Sequence, residues 1–498
     1  MRFNWKLLVS IGVFALCIAP TLVSYAPYSF RWDDSDYLWR SVAVSNAFWS
    51  GNAHDMRTAM VSFRPPVMTL LGLPWGPLAS WDAAGKCFIT LTAFTAFFVA
   101  CCLFLLLRIG LKPLYLAIAS VCVFAALGPY PAGGDAHFWA AAFVADSLFA
   151  WNAFAAMLLI PYEATNPTSS TTDALVRGIL WAVIFSVGAI TKVSFLYFIV
   201  LTIPILFVVS IRHSGVRSAL LSLISLTICS FPVALYWLRY GQPVLSYGRA
   251  ASFGPTAHFY YVPLSQFLGD TVRQSPGILL SAIFAIVSAA YLIVRRRDVA
   301  WGTNVLPLLS MLGYCAISLA SSNREIRFLL PGIIGLPFLI GILISGKTPT
   351  FPRGPATIAA ILVFCCLVAA AVPMSHRPNR QSIAISETVL AQAAESNAKR
   401  VLLATDSSTL NYPLMKVAIA VSPSRPPVEI IGLAWRTGPI EDDFRDIRES
   451  DLVVFQDEPD VPFTNKRMAE YEQYTRQHFG DVAIKVVDGI RIYGMSHN

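Results

Sequence analysis

Residues 86–107 read KCFITLTAFTAFFVACCLFLLL, and after Lys86 no charge interrupts the run until Arg108. A helix rises about 1.5 Å per residue, so roughly twenty apolar residues match the ~30 Å hydrocarbon layer of a bilayer. An amphipathic helix on a soluble core would keep one polar face, and this stretch has none. It reads as a membrane span. Runs like it recur at 7–26, 113–128, 139–160, 177–190, 194–211, 218–238, 277–294, 301–320, 328–345 and 354–373, so about eleven spans are expected. The third and fifth are short for a crossing.

Composition agrees. The 498 residues are 56% hydrophobic and 13% charged, with a mean hydropathy of +0.59. A soluble domain carries about a quarter charged residues, so a large soluble enzyme is excluded. The formal charge of +8 does not point to nucleic acid, because the basic residues sit between apolar runs. Arg2 and Lys6, Arg108 and Lys112, Arg177, Arg212 and Arg217, Arg295 to Arg297, and Lys347 with Arg353 mark one set of loops. The positive-inside rule makes these cytoplasmic, with the N-terminus inside and the C-terminal segment outside. The first run follows Arg2 and Lys6, and its flank SYAPYSFRWDD offers only a weak cleavage site, so a retained anchor is expected. The nine cysteines show no CxxC spacing and read as small packing residues.

Twelve Asp and Glu precede residue 374, and nine of them (Asp33, Asp34, Asp36, Asp55, Asp82, Asp135, Asp146, Asp270 and Glu325) fall on the outer side; only Glu163, Asp173 and Asp298 do not. Carboxylates are costly near a membrane, so this bias suggests a working surface. The outer loop 27–85 is long for a helical bundle. Within it DYLWRSVAVSNAFWSG, residues 36–51, has helical spacing with Trp39 and Trp49 beside the apolar face, which suits a helix in the membrane interface or one packed on the bundle. From about 374 charge rises. Short apolar strands follow: VLLAT at 401–405, VEIIGL at 428–433, DLVVF at 451–455, and a hairpin over 481–495 turning at Asp488-Gly489. Segments 381–398 and 464–478 read as helices. The expected architecture is a polytopic α-helical membrane domain over 1–373, which includes the 27–85 loop, and a soluble α/β domain over 374–498.

Five constellations carry chemistry. Arg31-Trp32-Asp33-Asp34-Ser35-Asp36-Tyr37 crowds three carboxylates beside the first span. Crowding raises a carboxyl pKa and suits a general base; the alternative is a cap for a helix beginning near Asp36. Ser62-Phe63-Arg64-Pro65-Pro66 fixes a guanidinium just outside the bilayer, where it suits a phosphate or a lipid headgroup. Asp146 lies in the apolar AAFVADSLFAWNAF and should face the bundle interior. Thr191-Lys192 joins two spans, and Asn323-Arg324-Glu325-Ile326-Arg327-Phe328-Leu329-Leu330-Pro331 opens a late one. Lys192, Arg324 and Arg327 bring cations to the acidic side, although long basic side chains also snorkel there.

In this order the motifs resemble the GT-C membrane glycosyltransferases, which include protein O-mannosyltransferases and lipid A aminoarabinose transferases. The likeness covers the acidic group after the first span, the loop ending in a basic residue plus Pro-Pro, Asp146, Thr191-Lys192 and Arg327 to Pro331, over about residues 7–345. It implies a polyprenyl-phosphate-sugar donor, used on the outer face with inversion. It also implies that Asp33, with Asp34 close behind, activates an acceptor hydroxyl. Arg64, where relatives often have Lys, would contact the donor phosphate, helped by Lys192, Arg324 and Arg327. Asp36 and Asp146 would support. Asp36 makes the acidic group denser than the family's pair.

The chain is therefore expected to be a hexosyl- or pentosyltransferase of a bacterial inner membrane. Its partners would be a lipid-linked donor, membrane lipids and a lipid, glycan or protein acceptor, with no nucleic acid. No cofactor is required; a divalent metal on Asp33, Asp34 and Asp146 is left open, since hard cations favour carboxylate oxygen. Two rivals remain at this point. A polysaccharide polymerase or ligase would share the topology but usually carries a large Arg-rich outer loop, where 239–276 has Arg239, Arg249 and Arg273. A transporter or assembly protein would place binding charges nearer the midplane.

Overall fold

A computed structural model describes residues 5–22, 32–60, 64–127, 142, 144–253, 261–294, 301–321, 324–346, 350–372, 379–404, 407, 409–422, 427–433, 436, 438–456 and 467–494. Of the groups singled out above, Arg2, Arg31, Ser62, Phe63, Asp135, Arg295, Arg296, Arg297, Asp298, Asn323 and Lys347 lie outside these. Backbone contacts gather the chain into two compact units: Met1–Tyr25, Val61–Val67 and Ile89–Met374 form one, and Ala26–Met60, Met68–Phe88 and Ser375–Asn498 the other. Most of the outer loop thus sorts with the C-terminal segment.

The first unit is helical. It holds α1 (Trp5–Leu22), and most of α5 (Trp81–Ile109). It continues with α6 (Pro113–Leu127), α7 (Ala145–Thr165), α8 (Thr171–Thr191), α9 (Leu196–Ser214) and α10 (Val216–Phe253). After α11 (Leu264–Gln274) and α12 (Gly277–Val294) come α13 (Trp301–Ala320), α14 (Leu330–Ser345) and α15 (Arg353–Ala371). In lipid only a helix satisfies its own backbone, which is why apolar runs of this length fold this way.

A helix lies at each expected run. Length and composition nevertheless support eight crossings among the described residues, or nine if α11 and α12 form one broken span, rather than eleven. Helix α6 has only 15 residues, and α7 carries Asp146, Asn152 and Glu163, which dilute its apolarity. Residues 239–253, expected as the start of a loop, continue α10 through Pro243, so Arg239 and Arg249 sit on a helix. Val200, Leu238 and Ile286 stand exposed, as lipid-facing residues do. The core of the unit is α7, buried from Ala145 to Glu163. Phe154 stacks on Phe338 of α14 at 5.4 Å, and Phe14 of α1 meets the same ring at 5.9 Å.

The second unit is built on a five-stranded sheet, β1 (Arg400–Leu403), β2 (Glu429–Gly432), β3 (Leu452–Gln456), β4 (Lys485–Val487) and β5 (Ile490–Gly494), in the order β2-β1-β3-β5-β4. β1 runs parallel to both β2 and β3, and β5 is antiparallel to β3. The hairpin turns at Asp488 and Gly489, with φ of 48° and 75°, the left-handed pair that an Asp-Gly turn supplies. Strand alternation sends Val401 and Leu403 to one face, against α16 (Arg380–Glu395) and α17 (Tyr412–Val421). It sends Leu402 and Val453 to the other, against α18 (Ile440–Arg448) and α19 (Met468–Phe479). Helices α17 and α18 are additions to the expected pattern. The same unit contains α2 (Trp32–Trp49), α3 (Ala53–Met60) and most of the four-residue α4 (Val67–Leu70). Helix α2 packs against α17 of the C-terminal domain, while Ser41 and Ser45 of its expected apolar face lie against Gly72.

Candidate active site

Within the first unit, charge collects where α7 and α9 begin and α14 follows a short 3-10 turn. Asp146, in the first turn of α7, is buried and makes an ion pair with Lys192. The Lys192 ammonium also lies 5.4 Å from the ring of Phe149 and 4.6 Å from that of Phe328. Arg327 leans on the same Phe328 ring at 5.2 Å and forms an ion pair with Glu325, its Nη2 donating to Oε1 at 2.9 Å and its Nε lying 2.8 Å from Oε2. The Arg327 and Glu325 charges both act on Lys192. Two cations, each paired with a carboxylate, therefore lie against one aromatic ring.

The backbone explains this placement. Helix α8 stops at Thr191, Lys192 is extended (φ −152°, ψ 137°), and a 3-10 turn over Val193–Phe195 leads into α9. Gly188 makes the turn possible, since an added Cβ there would sit 2.3 Å from the Phe195 ring. Phe195 in turn meets Phe149 at 6.2 Å. On the other side Glu325 is extended before the 3-10 turn Ile326–Leu329, which carries Arg327 and Phe328.

The remaining expected cations differ. Arg324 donates to the carbonyls of Leu319, at 2.8 Å, and Val262, at 2.6 Å, so it ties chain segments together. Arg64 is buried beside Pro65. Sequence reasoning missed Phe149 and Phe328. The first stands three residues after Asp146 on the same helix, and the second lies within the RFLLP stretch, so both carried a signal.

In the second unit Asp33 and Asp34 occupy the first turn of α2. The helix begins at Trp32, so neither acid caps a helix starting near Asp36. A helix N-terminus still favours them electrostatically. Asp34 is fully buried, and Asp33 is partly exposed. Asp36 pairs with Arg40 at 3.3 Å. Among the described residues no group of three His, Cys, Asp or Glu side chains could hold a metal ion, and Asp146 is engaged by Lys192.

The far end of α7 holds a second charged group. Arg177 bonds Glu163 at 2.8 Å and the Asn166 carbonyl; Arg108 bonds the Asn166 side chain and, at 2.7 Å, the Phe351 carbonyl; Arg353 pairs with Asp173 at 3.3 Å. These are the loops grouped above as basic. They tie α5, α7, α8 and α15 at the end of α7 opposite Asp146.

No protein-family model and no curated protein matches the sequence. Among solved structures, ArnT from Cupriavidus metallidurans in the apo state matches with a TM-score of 0.51 and 11% identity, over 98% of this chain and 97% of that one. The structure of ArnT from the same organism bound to undecaprenyl phosphate matches with a TM-score of 0.49 and 12% identity, over 99% of this chain and 98% of that one. From its first helices to its C-terminal sheet, this membrane protein has the fold of ArnT.

Proposed function

We propose that the chain is a glycosyltransferase that moves a sugar from a polyprenyl-phosphate-linked donor to an acceptor hydroxyl, with inversion, on the non-cytoplasmic side of a bacterial inner membrane. The observation that carries this reading is the set around Phe328. Charges inside an apolar bundle are expensive, and they mark functional sites. Lys192 and Arg327 are each held by a carboxylate. The group is close to neutral as it stands, and an incoming phosphate would take over the cations from Asp146 and Glu325. ArnT, whose fold this chain has, is itself the protein seen with undecaprenyl phosphate.

In this mechanism the acceptor hydroxyl attacks the anomeric carbon and loses its proton to a carboxylate of α2. Asp33 and Asp34 are the candidates, because Asp36 is engaged by Arg40. The bond from sugar to phosphate breaks, and the prenyl phosphate leaves with its charge stabilised by Arg64, Lys192 and Arg327. Arg324, given to two carbonyls, has a lesser part.

The test is turnover by the purified full-length protein. Undecaprenyl phosphates carrying glucose, mannose or 4-amino-4-deoxyarabinose are supplied with lipid A, and release of undecaprenyl phosphate is measured. Release from at least one donor is expected, with a loss of roughly 10²–10⁴-fold in Asp33→Asn or Asp34→Asn, the usual cost of losing a general base. Full rates in both variants would refute the base assignment, and no release from any donor would refute the function.

A further inference from the structure

Helix α2 carries Asp33 and Asp34 at its start, and the rest of its length is gripped by its own unit. On one side Ser45 donates to the carbonyls of Gly72 and Gly76, at 3.1 and 2.7 Å. Gly72 lies so near that an added Cβ would sit 2.7 Å from the Ser41 carbonyl oxygen. On the other side lies α17 of the C-terminal domain. Asn46 is buried and joins both sides. Its Oδ1 accepts the Leu78 N–H at 2.6 Å, and its Nδ2 donates to the carbonyls of Leu78 and Ala420, each at 3.3 Å.

The second contact with α17 is a cation held between two rings. The Lys416 ammonium is 4.4 Å from the ring of Trp39 and 4.4 Å from that of Tyr412. The guanidinium of Arg40 lies 4.9 Å from the Trp39 ring, and Arg40 pairs with Asp36. A continuous run of contacts therefore leads from Asp36, two residues after Asp34, through Arg40 and Trp39, to Lys416.

Leu38, Val42 and Val44 supply apolar adhesion, but adhesion alone does not fix the rotation of the helix. The buried positions of α2 include Asp34, Ser35, Asp36, Ser41, Ser45 and Asn46. Hydrogen bonds and cation–ring contacts are directional, so they set the rotation and axial position of a helix as well as its adhesion. A general base must come within hydrogen-bond reach of the proton it takes.

We infer that Lys416 is a positioning residue: with Asn46 as a second anchor, α17 of the C-terminal domain holds α2 in the rotation at which its acidic turn takes the acceptor proton. This rests on the transferase function proposed above, and it gives the C-terminal domain a part in the chemistry without touching substrate.

The experiment uses full-length protein in detergent and the same three undecaprenyl-phosphate sugars. It reads kcat and donor KM, affinity for undecaprenyl phosphate alone, and the unfolding midpoint. Lys416→Met should lower kcat by about ten- to a hundred-fold, the order of loss that a misplacement of ~1 Å produces, with KM and undecaprenyl phosphate affinity unchanged. Lys416→Arg keeps the cation and should restore most of the rate. A lower unfolding midpoint with kcat per folded molecule intact would overturn the inference. If Lys416→Met does not fold, Tyr412→Leu removes one ring of the sandwich. A kcat loss there supports positioning, and an intact kcat overturns it. A wild-type protein that releases no undecaprenyl phosphate refutes the transferase function, and this inference falls with it. Wild-type turnover with full kcat in the variants refutes the inference alone.

Discussion

At the scale of single residues the site is a set of ion pairs inside an apolar bundle. Such a pair adds little net stability, yet removing one partner is severe because the other charge stays buried and uncompensated. Asp146→Asn should therefore destabilise the protein by about 3–5 kcal/mol, and Asp146→Asn with Lys192→Met should recover most of that loss. Thermal unfolding of detergent-solubilised Asp146→Asn, Lys192→Met and the double variant checks this; a double-variant loss equal to the sum of the two single losses would show that the pair is not coupled. Binding separates the two functions of Lys192, because the stable double variant should still bind undecaprenyl phosphate more weakly than wild type. Arg64 is a different case. Under the proposed function, Arg64→Ala should remove one charge-assisted contact to the donor phosphate, worth roughly 1.5–3 kcal/mol, which corresponds to about 10–150-fold weaker donor use. Arg64→Lys should regain part of it, since a point charge remains while the two-pronged geometry is lost. A headgroup anchor would instead lower protein yield and leave the donor curve of the folded fraction unchanged.

At the scale of elements, the turn between α8 and α9 is the most demanding piece of backbone. Lys192 reaches Asp146 only because Phe195 folds back into the space over Gly188. Gly188→Ala places a methyl against that ring and should cost about 1–3 kcal/mol, as overpacking does. It should also weaken undecaprenyl phosphate binding by moving Lys192. Gly12, on α1, has nothing within 4 Å of an added Cβ, so Gly12→Ala is the matched control and should change neither property. Elements differed in how well they could be read from sequence. Spans and strands were marked by long apolar runs and by alternation. Helices α17 and α18, of 10 and 9 residues, are too short for a repeating pattern to stand out. The extension of α10 past 238 was hidden by polar residues and Pro243, which cost a helix only local bonds.

At the scale of the whole molecule, acid should act on the C-terminal domain through carboxylates held by arginines. In the C-terminal domain, burial is the largest single influence on Asp446 and raises its pKa, but the bonds and charges of Arg436 and Arg400 together hold it below the ordinary value. Glu472 follows the same pattern, with burial outweighed by Arg491 and Arg476. Folded values below the unfolded ones mean that this stabilisation is complete above the unfolded pKa values, about 3.9 for Asp and 4.3 for Glu. It is lost as pH falls through the folded values. The protection of amides in 379–494, taken relative to their intrinsic exchange rates at each pH, should thus be steady from pH 7 to 5 and fall below pH 4, and Asp446→Asn should flatten that fall. No change in the variant would remove the Arg-held carboxylate as the cause. Membrane character, the strands of the C-terminal sheet and its Asp-Gly turn were already determined by the chain, because each depends on residues close in sequence and on one period, 3.6 or 2. The acidic group, Arg64 and Lys192 could be named for the same reason, as short motifs in order. Their partners could not. The pairing of Lys192 with Asp146, the sharing of Phe328 by two cations, and the clasp of α2 by α17 join residues from distant parts of the chain. Only tertiary packing decides such contacts, because each exists when two helices meet at one rotation, and no local pattern records that angle.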